Sequence, residues 1–495
     1  MTVPPSPAEP ALHKTASTTE TEDVPAEAVS GAESPGAFKV EQRGIEIIPE
    51  EDRRLVLRDL GLMWSGTIFS VSYVVYGAFV VFMGLSFPQS IAVIFVGCLT
   101  FSLVGAYSVQ GPRTGTSTFV ISRAAFGPNG GRALSVFNWV TVVGYEVITA
   151  SITVLAILAL LAHWGLHAGV VVKLITIVLV ALLQGSLPFL GHAAITRFLR
   201  VLVVPFIVLF VILAFLIGGK IHLSSYHAHG GWVELSLAFA LVAAVGGLGW
   251  ANTGNDYSRY LPSDVSRAKT IAVVSLGSGV PAFLLMVLGA ATATAVQSAG
   301  DPISGLPSVL PGWFIVPYLI GIAIQLIASN SLNLYSSGLT LQAAGLRIKR
   351  QHAILLDSAI CLAITIAVIF SSRFNTLVSD FLLFTILWLT AWAGVFGADA
   401  ALRRGRYDEA ALFAGRGGAY YGHRGFNLAG MIAVAAGIAA AALWLNTSVY
   451  QGPITTATGG SDMSVFMGLI VSAAAYALLH RLGVHRSRQR SVSTR

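Results

Sequence analysis

Four stretches of this 495-residue chain place polar and aromatic groups where their surroundings are apolar. In Gly246-Gly247-Leu-Gly249-Trp250-Ala-Asn252, closely spaced glycines run directly into an indole and an amide. Glycines at this density either let two helices pack closely or mark backbone that faces a cavity instead of lipid. An aromatic beside freed polar backbone suits a flat, hydrogen-bonding ligand, so Trp250 is read as a binding residue. A second stretch, Trp64-Ser65-Gly66-Thr67-Ile-Phe69-Ser70-Val-Ser72-Tyr73, is polar at the centre of another apolar run, and Ser72 joins the candidates there. Interrupted helices in corresponding positions of two halves point to a transport site.

The third stretch carries Asn138, Tyr145, Glu146 and Thr149 in an otherwise apolar helix. Tyr145 and Thr149 are four apart and share a face. Glu146 is the sharpest anomaly: an acid at mid-membrane costs roughly 3 kcal/mol, and such residues usually face the bundle interior and mark ion or proton pathways. Burial disfavours the charged form of a carboxyl, which makes proton binding physically possible, and a structural hydrogen bond to a neighbouring helix is the alternative. Further on, Gln325, Ser329, Asn330, Asn333, Tyr335 and Gln342 crowd one run. Buried amides can hold helices together, but two asparagines three apart also offer donors and acceptors to the edge of a heterocycle. Asp357, Asp380 and Asp399 fall near the ends of their runs, where water or basic loops can solvate them, and are read as structural. Cys98 and Cys361 sit in apolar runs without metal-ligand spacing. No nucleophile elbow, phosphate loop or dinucleotide fingerprint is present, so no catalytic residue, metal or cofactor is assigned and the chain does not read as an enzyme.

These residues need long apolar helices to hold them. With 55% hydrophobic and 11% charged residues and a mean hydropathy of +0.75, the composition is that of an all-α membrane protein. A hydrocarbon core of ~30 Å takes ~20 residues of helix. Runs of that kind lie at about 62–84, 90–109, 134–162, 169–190, 198–219, 233–253, 270–294, 313–341, 352–371, 376–400, 425–446 and 463–482, twelve in all. The Lys and Arg residues cluster between alternate runs. With both termini cytoplasmic, only Lys173, Lys220 and Arg373 of the 30 fall on the other side or at its edge, as the positive-inside rule requires. The pI of about 9.5 therefore reports topology and not nucleic-acid binding. Residues 1–45 are rich in Pro, Ser, Thr, Ala and Glu and read as a disordered cytoplasmic tail. The membrane domain covers 46–483, and 484–495 form a basic cytoplasmic tail.

Several stretches between Arg43 and Arg424 resemble the nucleobase:cation symporter-1 family, in its purine-cytosine permease branch. They are Arg43-Gly-Ile-Glu46 with Pro49-Glu-Glu-Asp52-Arg53; Gly111-Pro-Arg113-Thr-Gly115 with Ile121-Ser-Arg123-Ala-Ala-Phe126-Gly127; Gly249-Trp250-Ala-Asn-Thr-Gly-Asn255-Asp256-Tyr257-Ser-Arg259-Tyr260-Leu-Pro262; Asn330-Ser-Leu-Asn333-Leu-Tyr335-Ser336; and Arg403-Arg404-Gly-Arg406-Tyr407-Asp408. The resemblance implies a LeuT-like fold of two inverted five-helix repeats, about 60–220 and 230–400, followed by two peripheral helices at about 425–482. Helices one, three, six and eight would surround the substrate. Trp250 would stack on a base, and Asn330 and Asn333 would present amides. The third helix departs from the branch pattern Trp-x-x-x-Asn, with Tyr145 and Thr149 in those places, and Glu146 is an addition to it.

The function so implied is import of cytosine or a purine base across the plasma membrane, with Trp250, Tyr145, Asn330, Asn333, Thr149, Glu146 and Ser72 at the site and no organic cofactor. Sodium-coupled relatives place hydroxyls and bare carbonyls between helices one and eight. Ile324 and Gln325 stand where a Thr pair would be expected, so the coupling ion is read as H+, through Glu146, with Na+ as the alternative. The alternatives for the substrate are a hydantoin, an allantoin-like ureide or a vitamin pyrimidine, and the alternative for the activity is a sensor that binds a base without moving it. The expected partners are the base and the lipid bilayer, with no nucleic acid; the oligomeric state is not legible.

Overall fold

A computed structural model describes residues 40–221, 229–371 and 374–484, with backbone alone for 374–380 and 382–384. The tail up to residue 39, Arg373, the side chain of Asp380 and the segment 485–495 lie outside the described residues.

The described residues are helical, as their hydropathy dictates. In chain order the helices are α1 (Leu57–Ile68 and Val71–Phe82), α2 (Phe87–Thr114), α3 (Arg123–His163), α4 (Val170–Leu190), α5 (His192–Gly218), α6 (Trp232–Ala251), α7 (Arg267–Ala293), α8 (Gly312–Ala343), α9 (Arg350–Ile369), α10 (Phe374–Leu402), α11 (Leu428–Trp444) and α12 (Ser464–Arg481). Among the described residues ten helices are long and apolar enough to cross a membrane, and the bent pair in α1 makes an eleventh. The sequence suggested twelve spans. The difference is α11, whose 17 residues fall just short of the ~20 that a perpendicular span takes.

The breaks in α1 and α6 fall in the first helix of each set of five. α1 bends by 57° where Phe69 leaves helical dihedrals (φ −66, ψ 72), and the freed Thr67 carbonyl accepts a hydrogen bond from Gln325 Nε2 at 3.1 Å. α6 widens at Ala244–Leu248, with Gly246 at φ −91, ψ −128. Gly247 N donates to Thr100 Oγ1 at 3.1 Å, and a Cβ at Gly247 would lie 2.0 Å from the Thr100 carbonyl carbon. Only glycine permits that approach, so this glycine serves packing and the break together. Gly289 of α7 does similar work: a Cβ there would lie 1.8 Å from the carbonyl oxygen of Val74 in α1. Small residues at such crossings replace the hydrophobic drive that lipid does not supply.

Residues 40–45, which the composition assigns to the tail, are ordered. Residues 40–53 form a strap tied to the start of α5, the α2–α3 loop, the turn after α6 and the start of α9. Ile48 N donates to Gly115 O at 2.9 Å, Thr116 Oγ1 to Ile45 O at 2.6 Å, and Arg53 Nη1 to Pro112 O at 2.6 Å.

Candidate substrate site

The broken centres of α1 and α6 meet α3 and α8 around one cavity. It is lined from α1 by Thr67, Ser70, Ser72, Tyr73 and Tyr76; from α3 by Tyr145 and Thr149; from α6 by Val245, Gly249 and Trp250; and from α8 by Leu326, Ser329 and Asn333. The Trp250 ring stands edge-on to Trp64, with centroids 5.7 Å apart, and its Nε1 donates to Tyr73 OH at 3.1 Å. Tyr145 is braced edge-on by Phe381 at 5.1 Å. Thr149 Oγ1 donates to the Tyr145 carbonyl at 2.8 Å, which leaves its lone pairs as acceptors. The lining therefore combines four aromatics, Tyr73, Tyr76, Tyr145 and Trp250, with aliphatic hydroxyls and one amide. Most of the lining side chains carry a hydroxyl, amide or ring N–H, and only Val245, Gly249 and Leu326 do not, so the cavity offers more hydrogen-bonding groups than the mainly apolar wall of many small-molecule sites.

Of the seven residues singled out from sequence, the structure brings Trp250, Tyr145, Thr149, Asn333 and Ser72 to this cavity. Asn330 and Glu146 lie behind it. Asn330 is fully buried and donates from Nδ2 to Glu146 O at 3.1 Å and to Gln184 Oε1 at 2.8 Å. Its Oδ1 accepts from Asn333 Nδ2 at 3.1 Å. The physical reason is rotational: three residues advance a helix by about 300°, so Asn333 reaches the cavity while Asn330 turns toward α3 and α4. Glu146 is also fully buried and faces Asp357 and Ser337. Asp357 is thus not solvated at a helix end; it is 0% exposed and accepts from Trp139 Nε1 at 2.8 Å. Asp399 is buried too, paired with Arg403 at 2.7 Å and accepting from Tyr476 OH at 2.6 Å.

Thr67, Ser70, Tyr73 and Ser329 stand in the polar stretches read from sequence but were not singled out as site residues, and Tyr76 was not noted at all. The signal was available for two of them: Tyr76 is one turn beyond Tyr73, and Ser329 one turn before Asn333.

The strap ties together the start of α5, the turn after α6, the end of α8 and the start of α9. Glu41 accepts from His192 N at 2.8 Å, from Tyr335 OH at 3.3 Å and from Tyr260 OH, and pairs with the fully buried Arg259 at 3.8 Å. Arg259 Nη1 also donates to Gly44 O at 2.6 Å, and Arg350 Nη2 donates to Glu41 O at 2.8 Å. His192 stacks on Tyr260 with centroids 4.3 Å apart. The motif residues nearby are structural: Asn255 Oδ1 accepts from Gly111 N at 2.7 Å and Asp256 Oδ1 from Thr118 N at 2.9 Å, tying the end of α6 to the α2–α3 loop.

Broken helices of two five-helix sets that cradle one cavity between them are the arrangement of a membrane transporter's binding site. Residues 47–468 match the model of the permease family for cytosine/purines, uracil, thiamine and allantoin, and the chain belongs to that family. It is 28% identical over 457 residues to YxlA of Bacillus subtilis, which is named among the purine-cytosine permeases, covering 89% of this chain and 96% of that protein. It is 25% identical to the purine-cytosine permease fcyB of Emericella nidulans, over 89% of this chain and 88% of that one. Among solved structures, Mhp1, a nucleobase-cation-symport-1 family transporter, closed with bromovinylhydantoin bound, superimposes with a TM-score of 0.72 at 15% identity, covering 89% of this chain and 95% of Mhp1. A Na+-coupled sialic acid symporter in a substrate-bound outward-open state gives 0.61 at 13% identity, over 88% and 91%. The fold is accordingly LeuT-like, and the protein is a multi-pass membrane permease and not an enzyme.

Proposed function

We propose that this permease imports a flat nitrogen heterocycle, cytosine or a purine base, across the plasma membrane by symport with protons. The observation that carries this reading is the cavity, where Trp250 of α6 and Tyr145 of α3 bring aromatic rings and Asn333 of α8, Thr149 of α3 and Ser72 of α1 bring hydrogen-bonding groups. A base presents the complement, a π face and a donor–acceptor edge. Tyr145 keeps a stacking face on α3, and Thr149 supplies a hydroxyl in place of an amide. The family description and the purine-cytosine permease relatives support the same substrate class.

Uptake of radiolabelled cytosine and hypoxanthine into proteoliposomes tests the reading directly. Excess unlabelled adenine should compete, whereas competition by a hydantoin, allantoin or a vitamin pyrimidine alone would move the assignment to that heterocycle. Specific binding without uptake would indicate a sensor.

Proton coupling is favoured by Gln325. Its amide donates to the Thr67 carbonyl at the break in α1, and bare carbonyls of an unwound helix are what a sodium ion uses as ligands. Here an amide hydrogen already takes that carbonyl. Replacing external Na+ by choline should leave uptake unchanged, while a protonophore should abolish accumulation. Strict dependence on Na+ would overturn this coupling.

With the termini cytoplasmic, a cysteine placed at exposed Val449, in the α11–α12 connection, should react with an impermeant thiol reagent on intact cells, in a background lacking Cys98 and Cys361. One placed at exposed Arg416 should not. The reverse pattern would invert the topology.

A further inference from the structure

Glu146 is packed among α3, α4, α8 and α9 with 0% exposure, and it faces Asp357 of α9, equally buried. The Ser337 hydroxyl of α8 lies beside both carboxyls. Asp357 Oδ1 is held by Trp139 Nε1. Asp357 Oδ2, both Glu146 oxygens and the Ser337 hydroxyl have no hydrogen-bond partner of ordinary geometry. Ser337 brings one O–H to this cluster, whereas two ionised carboxyls facing each other are acceptors only, so their contact lacks a hydrogen that a shared proton would supply.

The surroundings supply no countercharge. α9 presents Asp357 and Cys361 to Glu146; α8 presents Ser337; α4 presents the Gln184 amide, whose Nε2 contacts Cys361 Sγ at 3.9 Å. No Lys, Arg or His forms an ion pair with either carboxyl among the described residues. Two carboxylates in a dry interface cannot both be ionised, as paired acids elsewhere illustrate by sharing a proton.

The pair is also tied to the cavity. Asn333, which lines it, donates to Asn330, and Asn330 donates to the Glu146 carbonyl. A substrate that pulls on the Asn333 amide therefore pulls on the turn of α3 that carries Glu146.

We propose that Glu146 and Asp357 form a single proton-binding centre, with Ser337 as its hydroxyl bridge, linked to the substrate cavity by the Asn333–Asn330 amide chain. The proposal rests on the proton-symport reading. With one shared proton the pair is a net anion. A second proton, taken from external water by the remaining carboxylate, makes it neutral, and a neutral pair is what a closed, water-free interface accommodates while the carrier reorients. On the cytoplasmic side the acid returns that proton to water and the anion is restored. Asp357 enters the cycle as an equal partner of Glu146, not as a structural acid.

The test uses the full chain in proteoliposomes with radiolabelled cytosine or hypoxanthine and an internal pH dye. Asp357→Asn, which keeps an oxygen for Trp139, should retain base exchange at equal concentrations on both sides while losing accumulation and base-induced proton uptake. Adding Glu146→Gln should cause no further loss of proton uptake, because the two acids are one site. Ser337→Ala should shift the pH midpoint of uptake with exchange intact, which keeps the proposal testable if Asp357→Asn does not fold. Accumulation by Asp357→Asn with the wild-type pH dependence, or an unshifted midpoint in Ser337→Ala, overturns the shared centre and leaves proton symport standing. Absence of base-induced proton uptake in the wild type overturns the symport reading, and the centre falls with it.

Discussion

Trp250→Ala is expected to weaken the apparent affinity for the base about tenfold or more, since stacking of a base on an aromatic ring is worth ~1–3 kcal/mol and 1.4 kcal/mol is a factor of ten. The loss should fall on binding and not on folding. Trp250 is only partly buried and lines the cavity, whereas its edge-on neighbour Trp64 is fully buried and anchored in the core. Trp64→Ala should therefore lower the yield of folded protein, and Trp250→Ala should not. Trp250→Phe restores a ring face but gives up the hydrogen bond to Tyr73, so it should recover part of the affinity. Tyr73→Phe removes the same hydrogen bond while leaving the indole in place, and its effect should be the smaller of the two. Concentration-dependent uptake and ligand-induced thermal stabilisation report the affinities; a well-expressed Trp250→Ala variant with normal affinity would remove Trp250 from the site.

Some of this site could be read from residue types alone, because a polar or aromatic group in an apolar span has few other reasons to be there. That logic reaches Trp250, Tyr145, Thr149, Asn333 and Ser72, which the fold gathers at one cavity. It gives out at Asn330 and Glu146. A spacing of three says that Asn330 and Asn333 are neighbours on a helix surface; which of them faces the cavity depends on the rotation of α8 against α3 and α4, a property of packing between segments far apart in the sequence. The Glu146–Asp357 pairing is invisible for the same reason, with its members on α3 and α9. The helix count was legible except at α11, whose length sits at the threshold for a span. The strap around Glu41 was hidden more thoroughly: it continues a tail of Pro, Ser and Ala, and its contacts at α5, α6, α8 and α9 are all remote in sequence.

That strap gives the second large effect. Glu41→Ala is expected to loosen the strap from α5, α8, α9 and the turn after α6, because removing one member of a buried ion pair leaves the other uncompensated, at a cost of about 3–5 kcal/mol. Arg259 keeps Tyr335, Tyr260 and the Gly44 carbonyl as partners, so the low end of that range applies. Burial raises the affinity of the Glu41 carboxyl for a proton, but Arg350 and Arg259, with hydrogen bonds from Tyr260 and the His192 amide, outweigh it and hold the group below its ordinary range. A depressed carboxyl stabilises the folded arrangement fully above its unfolded value, ~4.3 for Glu, and the contribution is lost only as the pH falls below that through the folded value. The strap should thus stay engaged at neutral and mildly acid pH. A cysteine at Ser336, which is buried against Tyr257 beneath the strap, should react faster with a thiol reagent supplied from the cytoplasmic side in Glu41→Ala than in the wild type, again without Cys98 and Cys361. The pH midpoint of uptake should not move in this variant, in contrast to Ser337→Ala. Unchanged labelling and unchanged thermal stability would show that Glu41 does not hold the strap in place.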